Sequence, residues 1–338
     1  METSTFPNQN VVLTSNGRSK SGLAGAFLML LSLVLFSLGC AKDKDVALVE
    51  DESNPVNITN PTDEITTRAI TNNSFKQVNL VSDLAEFAPA RLDTNLKNAW
   101  GIAFDPAQKF WITSAHADKT VIYNTEGDAM KAPLEIEGDP IGIVYNSSSG
   151  FKIPGTSDVA RFIFATEETG HIVAWTPWEP NEVVTVIDNS GFGAEYTGLE
   201  IAQHKGNWFI YAANVGAGTI DVYDRFWNLV TNMPFSDPTL PNGASPFNIR
   251  LISGFLYVTY VGPGGGYVNI FRTDGTFVKR FASGSPLAAP WGITKVPLAF
   301  GIGHAILVGN FGDGRINVYS YAGQYKGQLE YDDGTPVE

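Results

Sequence analysis

Ala99-Trp100-Gly101-Ile102 returns near the far end of the chain as Pro290-Trp291-Gly292-Ile293. Between them lie weaker copies: Pro140-Ile141-Gly142-Ile143, Tyr196-Thr197-Gly198-Leu199 and Pro246-Phe247-Asn248-Ile249. A motif that recurs roughly every 40–55 residues and opens a set of short apolar runs is the mark of a radial β-repeat array. The runs that follow the first copy, 101–104, 109–113 and 120–123, are strand-length and separated by turn residues such as Asp105-Pro106. The later copies are followed by the same three runs, at 142–145, 160–165 and 171–175, then 198–202, 208–213 and 219–223, then 247–252, 255–260 and 267–271, then 292–296, 304–308 and 315–319. Polar turns such as Arg272-Thr273-Asp274-Gly275 lead to an outer strand such as 277–281. Four strands per repeat, arranged radially, is the blade of a β-propeller, so the fold class is all-β. Inner strands starting near residues 100, 141, 197, 247 and 291 crowd round one axis, and a glycine there permits close backbone approach. Asn248 breaks that rule. Trp100 and Trp291 read first as wedges between neighbouring blades, and second as aromatics on a ligand face.

Composition agrees with many short strands: 34 Gly and 19 Pro in 338 residues, 43% hydrophobic, 12% aromatic and only 17% charged. A net charge of −13 argues against nucleic acid as a partner, since phosphate backbones need clustered Lys and Arg. The single cysteine, Cys40, excludes an internal disulfide framework and Cys-rich metal sites.

The position of Cys40 gives it a role. Arg18 and Lys20 precede an apolar run from Leu23 to Leu38, which ends in Ser37-Leu38-Gly39-Cys40 before the chain turns polar at Ala41-Lys42-Asp43-Lys44-Asp45. A basic start, a short apolar core and small residues at its end make a secretory signal. The cysteine directly after Gly39 makes it resemble a bacterial lipoprotein signal, with residues 1–39 removed and Cys40 lipidated. Ser37 departs from the leucine usual at that position. The run is short for a membrane span, which needs about 20 apolar residues. Residues 40–73 carry no sustained period of 2 or 3.6 and read as a flexible tether ahead of a propeller domain at 74–338. The expected location is extracytoplasmic, at the outer membrane or cell surface, with the lipid on Cys40 as the membrane contact.

Gln77-Val78-Asn79-Leu80-Val81-Ser82-Asp83, then Asp93-Thr94-Asn95-Leu96 and Asn98-Ala99-Trp100-Gly101-Ile102-Ala103-Phe104, resemble the opening of a family of uncharacterised secreted propellers with NHL-like repeats. Members elsewhere often carry PEP-CTERM sorting tails. Ala165-Thr166-Glu167, Val173-Ala174-Trp175 and Gly309-Asn310-Phe311-Gly312-Asp313-Gly314-Arg315-Ile316-Asn317 match as well. The resemblance implies secretion and a ring of six blades, and no particular activity. Only five repeats are visible, so the expectation is a last blade truncated relative to that family. Closure with five, or strands supplied by the segment before Asn79, are the other readings.

Catalytic chemistry is not written plainly in the chain. His116, His171, His204 and His304 fall in different repeats, with no HExxH pattern. No GxSxG context for a nucleophile occurs. The glycine run 262–266 precedes no helix that could hold a phosphate. No catalytic residue and no cofactor is assigned. Calcium is the one ion an enzymatic reading would need: some propellers hydrolyse lactones or esters with a calcium at the channel mouth, held by oxygens from several blades. Weak candidate ligands are Glu167, Asn214, Asn248 and Asn310, with Asn98 beside them, although such residues in turns commonly bond their own backbone. The leading expectation is a tethered binding module for a protein or glycan. The alternative is a calcium-dependent lactonase or esterase.

Overall fold

A computed structural model describes residues 74–337, except 180, 298 and 299, together with the backbone of Val11–Ser15. Cys40, the apolar run before it and the tether lie outside the described residues. Among those described, no helix is long and apolar enough to cross a membrane, and the helical pieces are short 3-10 turns.

Five blades follow one another in chain order. The first is Ala99–Phe104, Phe110–Ser114, Lys119–Tyr123 and Leu134–Glu135, antiparallel in that order from the axis outward. The second is Pro140–Tyr145, Phe162–Thr166, His171–Trp175 and Val183–Asp188, and the third Tyr196–His204, Asn207–Asn214 and Thr219–Asp224. The fourth is Ser245–Ile252, Phe255–Val261, Tyr267–Phe271 and Phe277–Ser283, and the fifth Pro290–Lys295, Ala305–Asn310, Ile316–Ser320 and Tyr325–Gln328. Blade 3 corrects the expected four-strand rule: its outer position is only a bridge between Tyr223 and Leu229. Asp224 shapes the turn into that bridge, its Oδ1 accepting from the backbone N–H of Phe226 and Asn228 (2.8 and 2.9 Å).

Apolar side chains on each blade face pack against the next blade. Ile143 joins Ala103 and Trp111 between blades 1 and 2, and Leu199 joins Ile163 and Ala165 between blades 2 and 3. Ile249 meets Tyr211 and Ala213 between blades 3 and 4, and Ile293 meets Tyr257 and Ile270 between blades 4 and 5. The isoleucine or leucine that follows the motif glycine is thus the pin into the preceding blade.

The glycine itself faces the other way. A Cβ on Gly101 would lie 2.4 Å from the Ile141 carbonyl oxygen, one on Gly142 2.9 Å from Leu199, and one on Gly198 2.6 Å from the Cα of Asn248. Asn248 replaces the close approach with a bond: its Nδ2 donates to the Trp291 carbonyl at 3.0 Å. The expectation fails at Gly292, where a Cβ would meet nothing within 4 Å. Among the described residues, no sixth inner strand is stacked there.

A sixth blade is not built by the described residues. What lies between blade 5 and blade 1 is a strap. Ser74–Asn79 pairs with Val11–Ser15 and, in parallel, with Glu330–Tyr331. Phe75 is buried with Val296, Ala305 and Val318 on the flank of blade 5, and stacks on Phe300 at 4.8 Å. Val81 and Leu96 are buried with Val121 and Tyr123 on the flank of blade 1. The segment before Asn79 therefore does supply a strand, at the rim and not at the axis.

Candidate functional site at the channel mouth

Each inner strand slips register at the motif. Ladder pairing jumps from Ala99 to Ile102, Pro140 to Gly142, Tyr196 to Gly198, Pro246 to Asn248 and Pro290 to Gly292. Such a bulge bends the strand and re-aims the residue within it. The bulged residues are Trp100, Ile141, Thr197, Phe247 and Trp291, one per blade.

Three of these are aromatic, and they meet. Trp100 lies edge-on to Trp291 at 5.2 Å and to Phe247 at 6.0 Å, and it stacks on Phe311 at 5.1 Å. Trp291 of blade 5 donates its indole N–H to the Thr197 carbonyl of blade 3 at 2.8 Å. Contacts from blade 1 to blade 4, and from blade 5 to blade 3, are made only across the axis. The two tryptophans are therefore not wedges between neighbouring blades, because the bulge aims them inward to stopper the channel mouth. Carbonyls of the same bulges take hydroxyls from the preceding blade, Thr113 to Ile141 at 2.8 Å and Thr197 to Phe247 at 2.9 Å. The plug is anchored, yet it is not closed to solvent: Phe311 is half exposed, while the Trp100 indole N–H is buried with no partner among the described residues.

Sequence reading missed Phe247 and Phe311. Phe247 carried a signal, since it occupies the motif position of Trp100 and Trp291. Phe311 carried none, because it sits in the turn after Asn310 and only the tertiary arrangement of the blades brings it to Trp100 and Phe247.

Carboxylates of blades 2 and 3 form an acidic rim. Glu167 follows the second strand of blade 2, and its N–H donates to the Asp139 carbonyl at 3.0 Å. Burial, reinforced by the carboxylates of Asp139 and Glu195, pushes the Glu167 carboxyl above its ordinary range, against the pull of His116. A cleft of about 330 Å³ opens next to it, lined by Glu168, Thr169, His171, Ser190, Gly193 and Glu195.

The side-chain oxygens of Asn214 and Asn248 are committed to the scaffold, whereas Asn310 Oδ1 is buried with no partner among the described residues. Asn214 Oδ1 accepts from the N–H groups of Glu195 and Ala217, both at 3.1 Å, and its Nδ2 donates to Asp221. Asn248 Oδ1 accepts from Ile249, and Asn310 Nδ2 donates to the Pro286 carbonyl, both at 2.8 Å. Asn98 holds a left-handed turn at φ 52°. The histidines stay apart: His171 lies 3.3 Å from Asp188, His204 bonds Thr273 of blade 4, and His304 packs edge-on to Tyr321. Among the described residues no three His, Asp or Glu side chains are grouped to hold a metal ion. The arrangement can grip a ligand by stacking and by hydrogen bonds to carboxylates and hydroxyls.

No family model matches the chain. An uncharacterized protein of Acanthamoeba polyphaga mimivirus is 30% identical over 290 residues, covering 77% of this chain and 76% of its own length. A second uncharacterized protein of that virus is 31% identical over 298 residues, covering 80% and 72%. Among solved structures, a chain of the nidogen/laminin complex matches with a TM-score of 0.50 and 12% identity, covering 71% of this chain and 83% of that one. Virginiamycin B lyase from Staphylococcus aureus matches with a TM-score of 0.48 and 16% identity, covering 68% and 69%. The nidogen/laminin likeness agrees with the propeller fold. The sequence matches go further, and by them the chain belongs to one family with these two mimivirus proteins.

Proposed function

We propose that this propeller is a binding module that takes a protein or glycan ligand on its channel mouth. The observation that carries the reading is the convergence of Trp100, Phe247, Trp291 and Phe311 from three blades on one point, with Phe311 half exposed. Aromatic faces supply contact area at low conformational cost, and the rim of Glu167, Glu168 and Glu195 supplies acceptors for hydroxyl, amide or ammonium donors. The calcium-dependent hydrolase is less well supported, because the amides of Asn214 and Asn248 are spent on the scaffold.

The test is a screen of glycans, peptides and envelope proteins against the full chain, read by tryptophan fluorescence. Phe311→Ala removes an exposed ring, so it leaves the fold intact and weakens a mouth ligand about tenfold. Failure of every ligand class, or binding indifferent to Phe311→Ala, sinks the reading.

Tethering belongs to the same proposal. The basic start, apolar run and Cys40 support a lipid anchor that holds the propeller outside the cytoplasm. Cys40→Ala then moves the protein from the membrane to the soluble fraction; unchanged fractionation of that variant rejects the anchor.

A further inference from the structure

We propose that the cleft where blade 2 passes to blade 3, between the turn at 167–170 and the connection at 189–195, takes a basic side chain of a partner polypeptide, with Glu168 and Glu195 holding its cation and Phe192 its stem. The inference rests on the reading of this rim as a ligand site, and it narrows that ligand to a peptide bearing arginine or lysine.

The walls of the cleft are fixed before any ligand arrives. Asn189 Nδ2 donates to the hydroxyls of Tyr196 and Tyr223 at 2.7 and 2.8 Å, which ties one wall to blade 3. The Glu195 N–H donates to Asn214 Oδ1 at 3.1 Å, and its side-chain stem runs against Gly216, where a Cβ would lie 3.1 Å from the Glu195 Cγ. On the other wall, Thr169 Oγ1 lies 2.7 Å from Thr166 Oγ1. The two walls touch at the base: a Cβ on Gly170 would lie 2.3 Å from the Ala194 carbonyl oxygen. A site held in this way spends little ordering entropy when it is filled.

The lining selects a cation. Asp188 is already engaged, since its Oδ1 accepts from the N–H and the hydroxyl of Ser190 at 3.0 and 2.6 Å and lies 3.3 Å from His171 Nε2. Glu168 and Glu195 are exposed, and among the described residues their carboxylates make no hydrogen bond and no ion pair. Behind them, burial and the carboxylates of Asp139 and Glu195 hold the Glu167 carboxyl above its ordinary range, against the pull of His116. The site is therefore short of positive charge, and the net charge of −13 acts in the same sense at longer range. Phe192 supplies the apolar half. It stands between Ser190 and Gly193 of the same wall and is 86% exposed, more than any other large apolar side chain among the described residues. A ring so placed covers the aliphatic stem of lysine or stacks under a guanidinium. A volume of about 330 Å³ suits one such side chain, presented by a peptide segment.

The probe is a capped leucyl-arginine dipeptide, titrated into the full chain by calorimetry, with citrulline in place of arginine as the uncharged control. The expected result is saturable binding that weakens with added salt and is about tenfold weaker for the citrulline peptide. Glu168→Gln combined with Glu195→Gln, both at exposed positions, preserves the melting temperature and weakens the arginine peptide about tenfold. Phe192→Ala weakens it about threefold. Any of three results overturns the proposal: no saturable binding, equal binding of the citrulline peptide, or binding indifferent to either variant. The plug and the cleft fail separately, because Phe311→Ala tests the first and the glutamine pair tests the second. A dipeptide that needs Phe311 but ignores the glutamine pair rejects the cleft and leaves the mouth as the binding site.

Discussion

Gly101 and Gly292 occupy one motif position and face different surroundings, so the same substitution separates them. Gly101→Ala places a methyl 2.4 Å from the Ile141 carbonyl, and blade 2 must shift to admit it. We expect a loss of about 1–3 kcal/mol in urea unfolding for Gly101→Ala, against a change within about 0.5 kcal/mol for Gly292→Ala. A second residue reports through pH. Glu200, on the inner strand of blade 3, accepts from the Leu251 N–H of blade 4 at 2.7 Å and is nearly enclosed. Burial raises its carboxyl above the ordinary range, and Arg250 only partly offsets this. A raised carboxyl in the folded state binds its proton longer than the unfolded chain does, so its contribution falls as pH rises from the ordinary carboxylate range through the folded value. Glu200→Gln removes that decline. Urea midpoints measured from pH 4 to 8 will show the variant gaining on the native chain as pH rises; a parallel pair of curves contradicts the assignment.

At the scale of elements, the long connection between blades 3 and 4 is secured by one carboxylate. Asp237 has no solvent exposure on its side chain, and it accepts from Arg280 on the outer strand of blade 4 and from Asn269 Nδ2 at 3.1 Å. Burial acts to raise this carboxyl, but the bonds from Arg280 and Thr239 outweigh it and hold it below the ordinary range. Arg280→Met leaves Asp237 buried without its cation, and we expect a loss of about 3 kcal/mol by denaturant unfolding. Asp237→Asn together with Arg280→Met recovers part of that loss, because the uncompensated charge goes with it.

For the whole molecule, the described residues join the ring at its rim by the strap and supply no sixth blade there. Phe75 is its anchor, buried among Val296, Val318 and Leu329 and stacked on Phe300. Phe75→Ala costs about 3–5 kcal/mol in a core of this kind. We further expect it to increase hydrogen exchange in residues 325–331 and 74–79 ahead of blades 2 to 4, since each of those is packed on both faces. Uniform exchange across all five blades would show that the strap does not bear on closure.

The amino-acid sequence by itself determined the all-β class, the blade period and the inner strands, because strand length, turn residues and a glycine at close approach are local requirements. Observed inner strands begin at residues 99, 140, 196, 245 and 290, within two residues of the expected positions. Trp100 and Trp291 stood out for the same local reason, as did Glu167. Only the tertiary structure decided what these residues face. A bulge is one unpaired residue in a ladder, and its direction depends on the partner strand; that is why the tryptophans cross the axis when a pairwise wedge was the simpler expectation. Phe311 reaches the mouth from a turn, and Ile102 is bare while its four counterparts are buried. The five motifs are nearly alike as text. Their energies differ because each is completed by what packs beside it, and among the described residues Ile102 has no such cover while its four counterparts are pinned into a preceding blade.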